Sequence, residues 1–105
     1  MIKFDDFEKI ELKVGEILEV EDVSGADKLY KLKVDTGEER TLVAGIKKYY
    51  SKEELIGKKI IVVCNLEERR LKGITSEGML LAASDDEKVV LLTVDKDIKN
   101  GSLVD

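Results

Sequence analysis

Alternation of apolar and polar positions, broken at a few turn residues, dominates this chain. From residue 10 to residue 20 the pattern alternates, with Ile10, Leu12 and Val14 facing inward and Glu11 and Lys13 outward. Gly15 interrupts it, and Ile17 falls out of phase with Leu18 and Val20; a long strand bent by a bulge at Gly15 accounts for both features. Residues 23–27 read as a loop. Tyr30, Leu32 and Val34 then alternate with Lys31 and Lys33, giving a second strand that ends at the Asp35-Thr36-Gly37 turn. A third strand covers residues 40–44. Unbroken apolar residues from Ile60 to Cys64 make a buried fourth strand over 59–64, and further strands are predicted over 78–83 and 89–94, joined by a Ser84-Asp85-Asp86-Glu87 turn.

Helical signals are few. Ser51-Lys52-Glu53-Glu54 has a Ser cap with Glu three residues later, and Gly57 is a stop signal, so one short helix separates strands three and four. Near the start, Asp5 with Glu8 is a candidate cap for a single turn in which Phe4 and Phe7 share a face and pack on the strands. Three strands, a short helix and then more strands is the element order of an all-β, OB-fold, five-stranded Greek-key barrel with extra terminal strands. Such barrels bind oligonucleotides or oligosaccharides on the face of strands two and three and the bordering loops.

A chain of 105 residues with 43% hydrophobic content is expected to be one globular domain spanning 1–105. Charged residues reach 39%, a thermophile-like usage against which the absence of Pro counts. The lone Cys64 excludes an internal disulfide; lying inside the apolar run, it reads as a small buried hydrophobe. With no His, a structural zinc site is not expected. The longest fully apolar runs are five residues, 60–64 and 79–83, so the expectation is a cytoplasmic protein with no membrane partner.

Charge is polarised. The net charge is −5, yet residues 40–73 hold nine basic side chains against four acidic ones. Local field rather than net charge steers a polyanion. Within this segment Asn65 ends a strand, Arg69, Arg70 and Lys72 form a basic loop closed by Gly73, and Ser76 with Met79 frames a Gly-containing turn that exposes Ser76. Cations neutralise phosphates, an Asn amide offers donor and acceptor to a base edge or sugar hydroxyl, and a Met packs on a base face. Each also has a plainer role open to it: Asn65 as a strand cap, Met79 as core filler, Lys28 as ordinary surface.

Enzymatic readings are weak. No His is available for acid–base chemistry, and Ser76 lacks an activating partner in a legible signature. Asp85-Asp86-Glu87 and Asp95/Asp97 lack the ligand spacing of a calcium loop, and no phosphate-binding glycine pattern is present. No cofactor is expected.

Taken in order, Asp6-Phe7-Glu8-Lys9, Leu12-Lys13-Val14-Gly15, Ala26-Asp27-Lys28-Leu29-Tyr30, Val43-Ala44-Gly45-Ile46, Asn65-Leu66, Lys72-Gly73 and Ser76-Glu77-Gly78-Met79 resemble the tRNA-binding domain family. That family is appended to methionyl-tRNA synthetases and also occurs free-standing. In length and pattern this chain is most similar to the free-standing branch, the methionyl-tRNA synthetase β subunits. The resemblance covers residues 4–104. It implies an OB-fold, a homodimer built from the chain termini, and structure-specific binding to the outer corner of tRNA. The implied role is that of a non-catalytic accessory subunit, acting in trans, that raises the tRNA affinity of a methionyl-tRNA synthetase catalytic subunit.

Carried over by motif, the tRNA-binding candidates are Lys28, Asn65, Lys72, Ser76 and Met79; Arg40, Arg69 and Arg70 join them by charge and position. Where the family usually has His-Pro-Asn before the Ala-Asp-Lys-Leu motif, this chain has Val23-Ser24-Gly25, so no contact from that His or Asn carries over. A related branch, the CsaA-type chaperones, has the same dimeric fold and binds peptides, which makes peptide binding the alternative. As the resemblance reads, that branch tends to lose the Ala-Asp-Lys-Leu-Tyr and Glu-Gly-Met signatures, and both are intact here.

Overall fold

The computed structural model describes residues 1–105. Its elements, in chain order, are α1 (Phe4–Glu8), β1 (Leu12–Val23), β2 (Ala26–Asp35), β3 (Glu39–Ala44), α2 (Lys52–Leu55), β4 (Lys59–Val63), β5 (Arg69–Leu71), β6 (Ile74–Ser76), β7 (Met79–Leu80), β8 (Ala82–Ser84), β9 (Val89–Leu91) and β10 (Leu103–Val104). The main sheet runs β3-β2-β1-β4-β7, every pair antiparallel, with β10 also pairing the start of β1. This is the expected all-β, OB-like fold, with its helix between the third and fourth strands.

The core forms where alternation sends apolar side chains to the concave side of the sheet. Tyr30, Leu32 and Val34 of β2 face Leu42 and Ala44 of β3, with Ile60 and Val62 of β4 completing the layer. Leu55 of α2 plugs one end. Its helix starts on the capping box read from the sequence: Ser51 Oγ accepts from Glu54 N, and the Glu54 carboxylate accepts from Ser51 N. No helix is long and apolar enough to cross a membrane.

Several expectations are corrected. The β1 bulge lies at Leu18, where the register shifts between Ile17 and Glu19, and not at Gly15. Gly15 stays in register with Ile60. A Cβ there would sit 2.7 Å from Val34 Cγ1 and 3.0 Å from Thr36 Cγ2, so the glycine permits close strand approach. Ile10, expected inside, is 44% exposed because β1 begins only at Leu12. Asp5 does not cap α1; the N-cap is Lys3, without a side-chain bond, and Asp5 lies in the first turn instead. Phe4 and Phe7 remain largely outside the core and line a groove with Ile10, Leu12, Leu103 and Val104.

The loop expected over 23–27 is a tight turn at Ser24 and Gly25, and Ala26 already pairs with Val23. The single strand expected over 78–83 is two. Met79 and Leu80 pair with β4, whereas Ala82, Ala83 and Ser84 pair with β9, which itself stops at Leu91. Asp85 Oδ1 accepts from Glu87 N and Lys88 N to make the turn between β8 and β9, as the sequence indicated.

Candidate nucleic-acid interface

Between Cys64 and Glu77 the chain leaves the main sheet. The sequence read this stretch as a basic loop and a turn; it is a β-hairpin, with Arg69 opposite Ser76, Arg70 opposite Thr75 and Leu71 opposite Ile74. Its two-residue loop is Lys72-Gly73, at φ 51° and 82°. Two consecutive positive φ values are what a twisted antiparallel pair needs at a two-residue loop, and Gly73 supplies the second without strain. The hairpin runs alongside β3, with Glu77 N bonded to Thr41 O and Ser76 Oγ accepting from Val43 N. This sense directs its tip along β3 toward Gly45. Lys28 lies at that end too, its carbonyl accepting from Lys47 N at 3.3 Å.

Ion pairing separates the cations into two groups. On the outer face of β1–β3, Lys31 pairs with Glu21, and Lys33 pairs with Glu19 and Glu39. Asp22 holds both Lys47 and Lys52, at 3.1 and 2.9 Å. Hydrogen bonds from Lys52 first, and from Lys47 second, keep the Asp22 carboxyl below the usual carboxylate range. The same contact raises the Lys52 ammonium above its ordinary value. By contrast, Lys28, Lys48, Arg69, Arg70 and Lys72 form no ion pair, and neither do Lys3, Lys58, Lys88, Lys96 and Lys99 elsewhere on the surface. An exposed cation without a carboxylate partner keeps its field for an external anion.

The other candidates divide differently. Met79 is 48% exposed on β7, available for contact. Ser76, expected on an exposed turn, is buried at 5%: its Oγ accepts from Val43 N at 3.0 Å and its hydroxyl donates to Gly78 O at 3.2 Å. Asn65 adopts the cap role. Its Oδ1 accepts from Glu11 N at 2.8 Å, and its Nδ2 donates to Lys9 O at 2.6 Å. Arg40, added for its charge, has a side chain only 13% exposed. It donates to Thr36 Oγ1, Cys64 O and Glu77 O, each at 2.9 Å, and pairs with Glu38 at 3.0 Å. Thus Lys28, Arg69, Arg70, Lys72 and Met79 present groups outward, while Arg40, Asn65 and Ser76 are engaged by the protein itself.

Cys64 lies beneath this region, 7% exposed; burial pushes its thiol up, with the Arg40 charge acting the other way. No three His, Cys, Asp or Glu side chains gather as a metal-ligating group. The sequence reading missed Glu77, whose carboxylate accepts from Thr41 N at 2.9 Å. Its position inside Ser76-Glu77-Gly78-Met79 was visible, but nothing in the linear pattern reveals a bond to a strand 36 residues earlier.

The family described as putative tRNA binding domain matches residues 12–103. This chain belongs to it. A methionine–tRNA ligase of Pyrococcus abyssi is 59% identical over 104 residues, 98% of this chain but 14% of that protein. The chain therefore spans about a seventh of that relative's length. Among solved structures, a MetRS-related protein of Pyrococcus horikoshii is 40% identical with a TM-score of 0.93, covering 99% of this chain and 97% of that one. A CsaA chaperone protein of Picrophilus torridus is 38% identical, also at a TM-score of 0.93, and covers 100% of both chains. The backbone is common to the RNA-related and chaperone branches, so side-chain chemistry has to separate them.

Proposed function

We propose that this protein is a single, non-catalytic tRNA-binding domain that acts in trans, in the cytoplasm, as an accessory subunit to a methionyl-tRNA synthetase catalytic subunit. The observation that carries this reading is the hairpin, whose three cations have no ion-pair partner although most basic residues of β1–β3 do. Arg69, Arg70 and Lys72, with Lys28, engage the phosphate backbone of folded tRNA, while Met79 supplies an apolar contact. Contacts of this kind position an RNA by its shape and backbone without reading its sequence.

Two copies act together. Phe4, Phe7, Ile10, Leu12, Leu103 and Val104 make the apolar part of a groove of about 500 Å³ between the two chain ends, which Glu8, Lys9, Glu11, Asn65 and Asp105 complete. A second copy covers such a surface economically, because twofold dimers are the commonest closed assemblies. The dimer doubles the number of phosphate contacts.

Filter binding of tRNA over a range of salt tests the reading. With roughly three to six phosphate contacts per dimer, log affinity falls linearly with log salt at a slope of about −2 to −5. Charge-swapping Arg69, Arg70 and Lys72 together abolishes binding with the fold intact by circular dichroism. A salt-independent affinity, or a swapped variant that binds like the parent, overturns the proposal. In that case a pull-down with unstructured peptides tests the chaperone-type alternative, which the likeness to CsaA supports.

A further inference from the structure

We propose that Glu77, together with Ser76 and Arg40, is a latch that positions the basic hairpin for RNA; the inference rests on the tRNA-binding reading above. β5 and β6 pair only with each other, as a separate two-stranded sheet. A lone hairpin is marginal in water, so the orientation of this one depends on what grips its root. Here the grip is made by side chains. Glu77 Oε1 accepts from Thr41 N at 2.9 Å, and Ser76 Oγ accepts from Val43 N at 3.0 Å, which occupies two successive outward amides of β3. The backbone adds one bond, Glu77 N to Thr41 O at 2.8 Å. Arg40 then ties the two ends of the excursion to each other. One Nη1 donates to Cys64 O, just before it, and to Glu77 O, just after it.

Glu77 is the informative member because its charge and its position pull in opposite directions. As a carboxylate at the root of the basic hairpin it repels a polyanion. As an acceptor for Thr41 N it orders the cations that attract one. Replacement by Ala removes both effects, whereas Gln removes the charge and keeps a carbonyl acceptor for the amide.

The experiment measures tRNA affinity at fixed salt for the parent, Glu77→Ala and Glu77→Gln. It adds amide hydrogen exchange of Thr41 and the hairpin in the RNA-free proteins. The latch gives Glu77→Gln an affinity at least equal to the parent's. It weakens Glu77→Ala by about tenfold relative to Gln, through the cost of re-ordering freed side chains on binding. Exchange at Thr41 and through residues 69–76 is faster in Glu77→Ala than in Glu77→Gln. Equal affinities for Ala and Gln, or unchanged exchange, overturn the latch. A fourth protein, with Arg69, Arg70 and Lys72 all changed to Gln, keeps the two failures apart. If it binds tRNA like the parent, the hairpin is not the RNA edge, whatever the exchange data say of Glu77.

Discussion

At the scale of single residues, one side chain can belong to a binding motif by position and to the scaffold by chemistry. Asn65 bridges Glu11 N and Lys9 O, more than fifty positions away in sequence. It therefore fixes where α1 ends and β1 begins. Asn65→Ala should lower the melting temperature, with a loss of about 1–2 kcal/mol for two exchanged hydrogen bonds, measurable by denaturant titration. Wild-type stability for that variant would return Asn65 to the list of free polar contacts. The linear sequence left Asn65 open between cap and contact because an Asn after an apolar run fits either use. Ser76 and Arg40 were harder to place: the partners that engage them, Val43 N, Cys64 O and Glu77 O, are brought close only when the segment after β4 folds back against β3.

At the scale of elements, the interior was the most legible part. The period-two run of Tyr30, Leu32 and Val34 and the Ser51 capping box both report local physics, and both stand in the structure. The β5–β6 hairpin was not legible, because its turn is Lys-Gly instead of the usual Asn-Gly or Asp-Gly. Lys72 holds φ 51°, a left-handed conformation that Asn adopts more readily. Lys72→Asn should then stabilise the protein, by up to about 1 kcal/mol, while weakening tRNA binding through loss of a cation. Melting temperature and filter binding moving in opposite directions is the expected signature. A variant that gains both stability and affinity would show that Lys72 is no phosphate contact. The bulge was detected from its phase change but assigned to the glycine. It falls at Leu18, where the strand turns its exposed face, while Gly15 is needed flat against Val34.

At the scale of the whole molecule, association and pH are the accessible readouts. The apolar groove at the chain ends predicts a dimer by light scattering at micromolar concentration. A lone 11.8 kDa species would rule it out. The pH response follows from Asp22. Its carboxyl is held below its ordinary value by Lys52 and Lys47, so over that range the unfolded chain binds the proton more readily than the folded one. The stabilisation is present above the ordinary carboxylate value and fades as the pH falls through the depressed one. Lys52 behaves in the mirror sense: its contribution is full below the ordinary ammonium value and fades as pH rises through its raised one. Asp22→Asn should lower the melting temperature slightly at neutral pH and much less at an acid pH below the depressed carboxyl value, where the parent's carboxyl is protonated too. An equal drop at both values would mean that packing, and not charge, carries the effect.

The occupied amides of Thr41 and Val43 have a consequence beyond holding a hairpin. β3 is the terminal strand of the main sheet, and a terminal strand with free amides is a template on which a further strand can be laid. Two side chains and one short stretch of backbone from the same chain fill that place. Copies of this protein should thereby be kept from zipping together edge to edge. Release of the seal, by mutation or by partial unfolding of residues 65–76, is expected to turn β3 into a seed for aggregation.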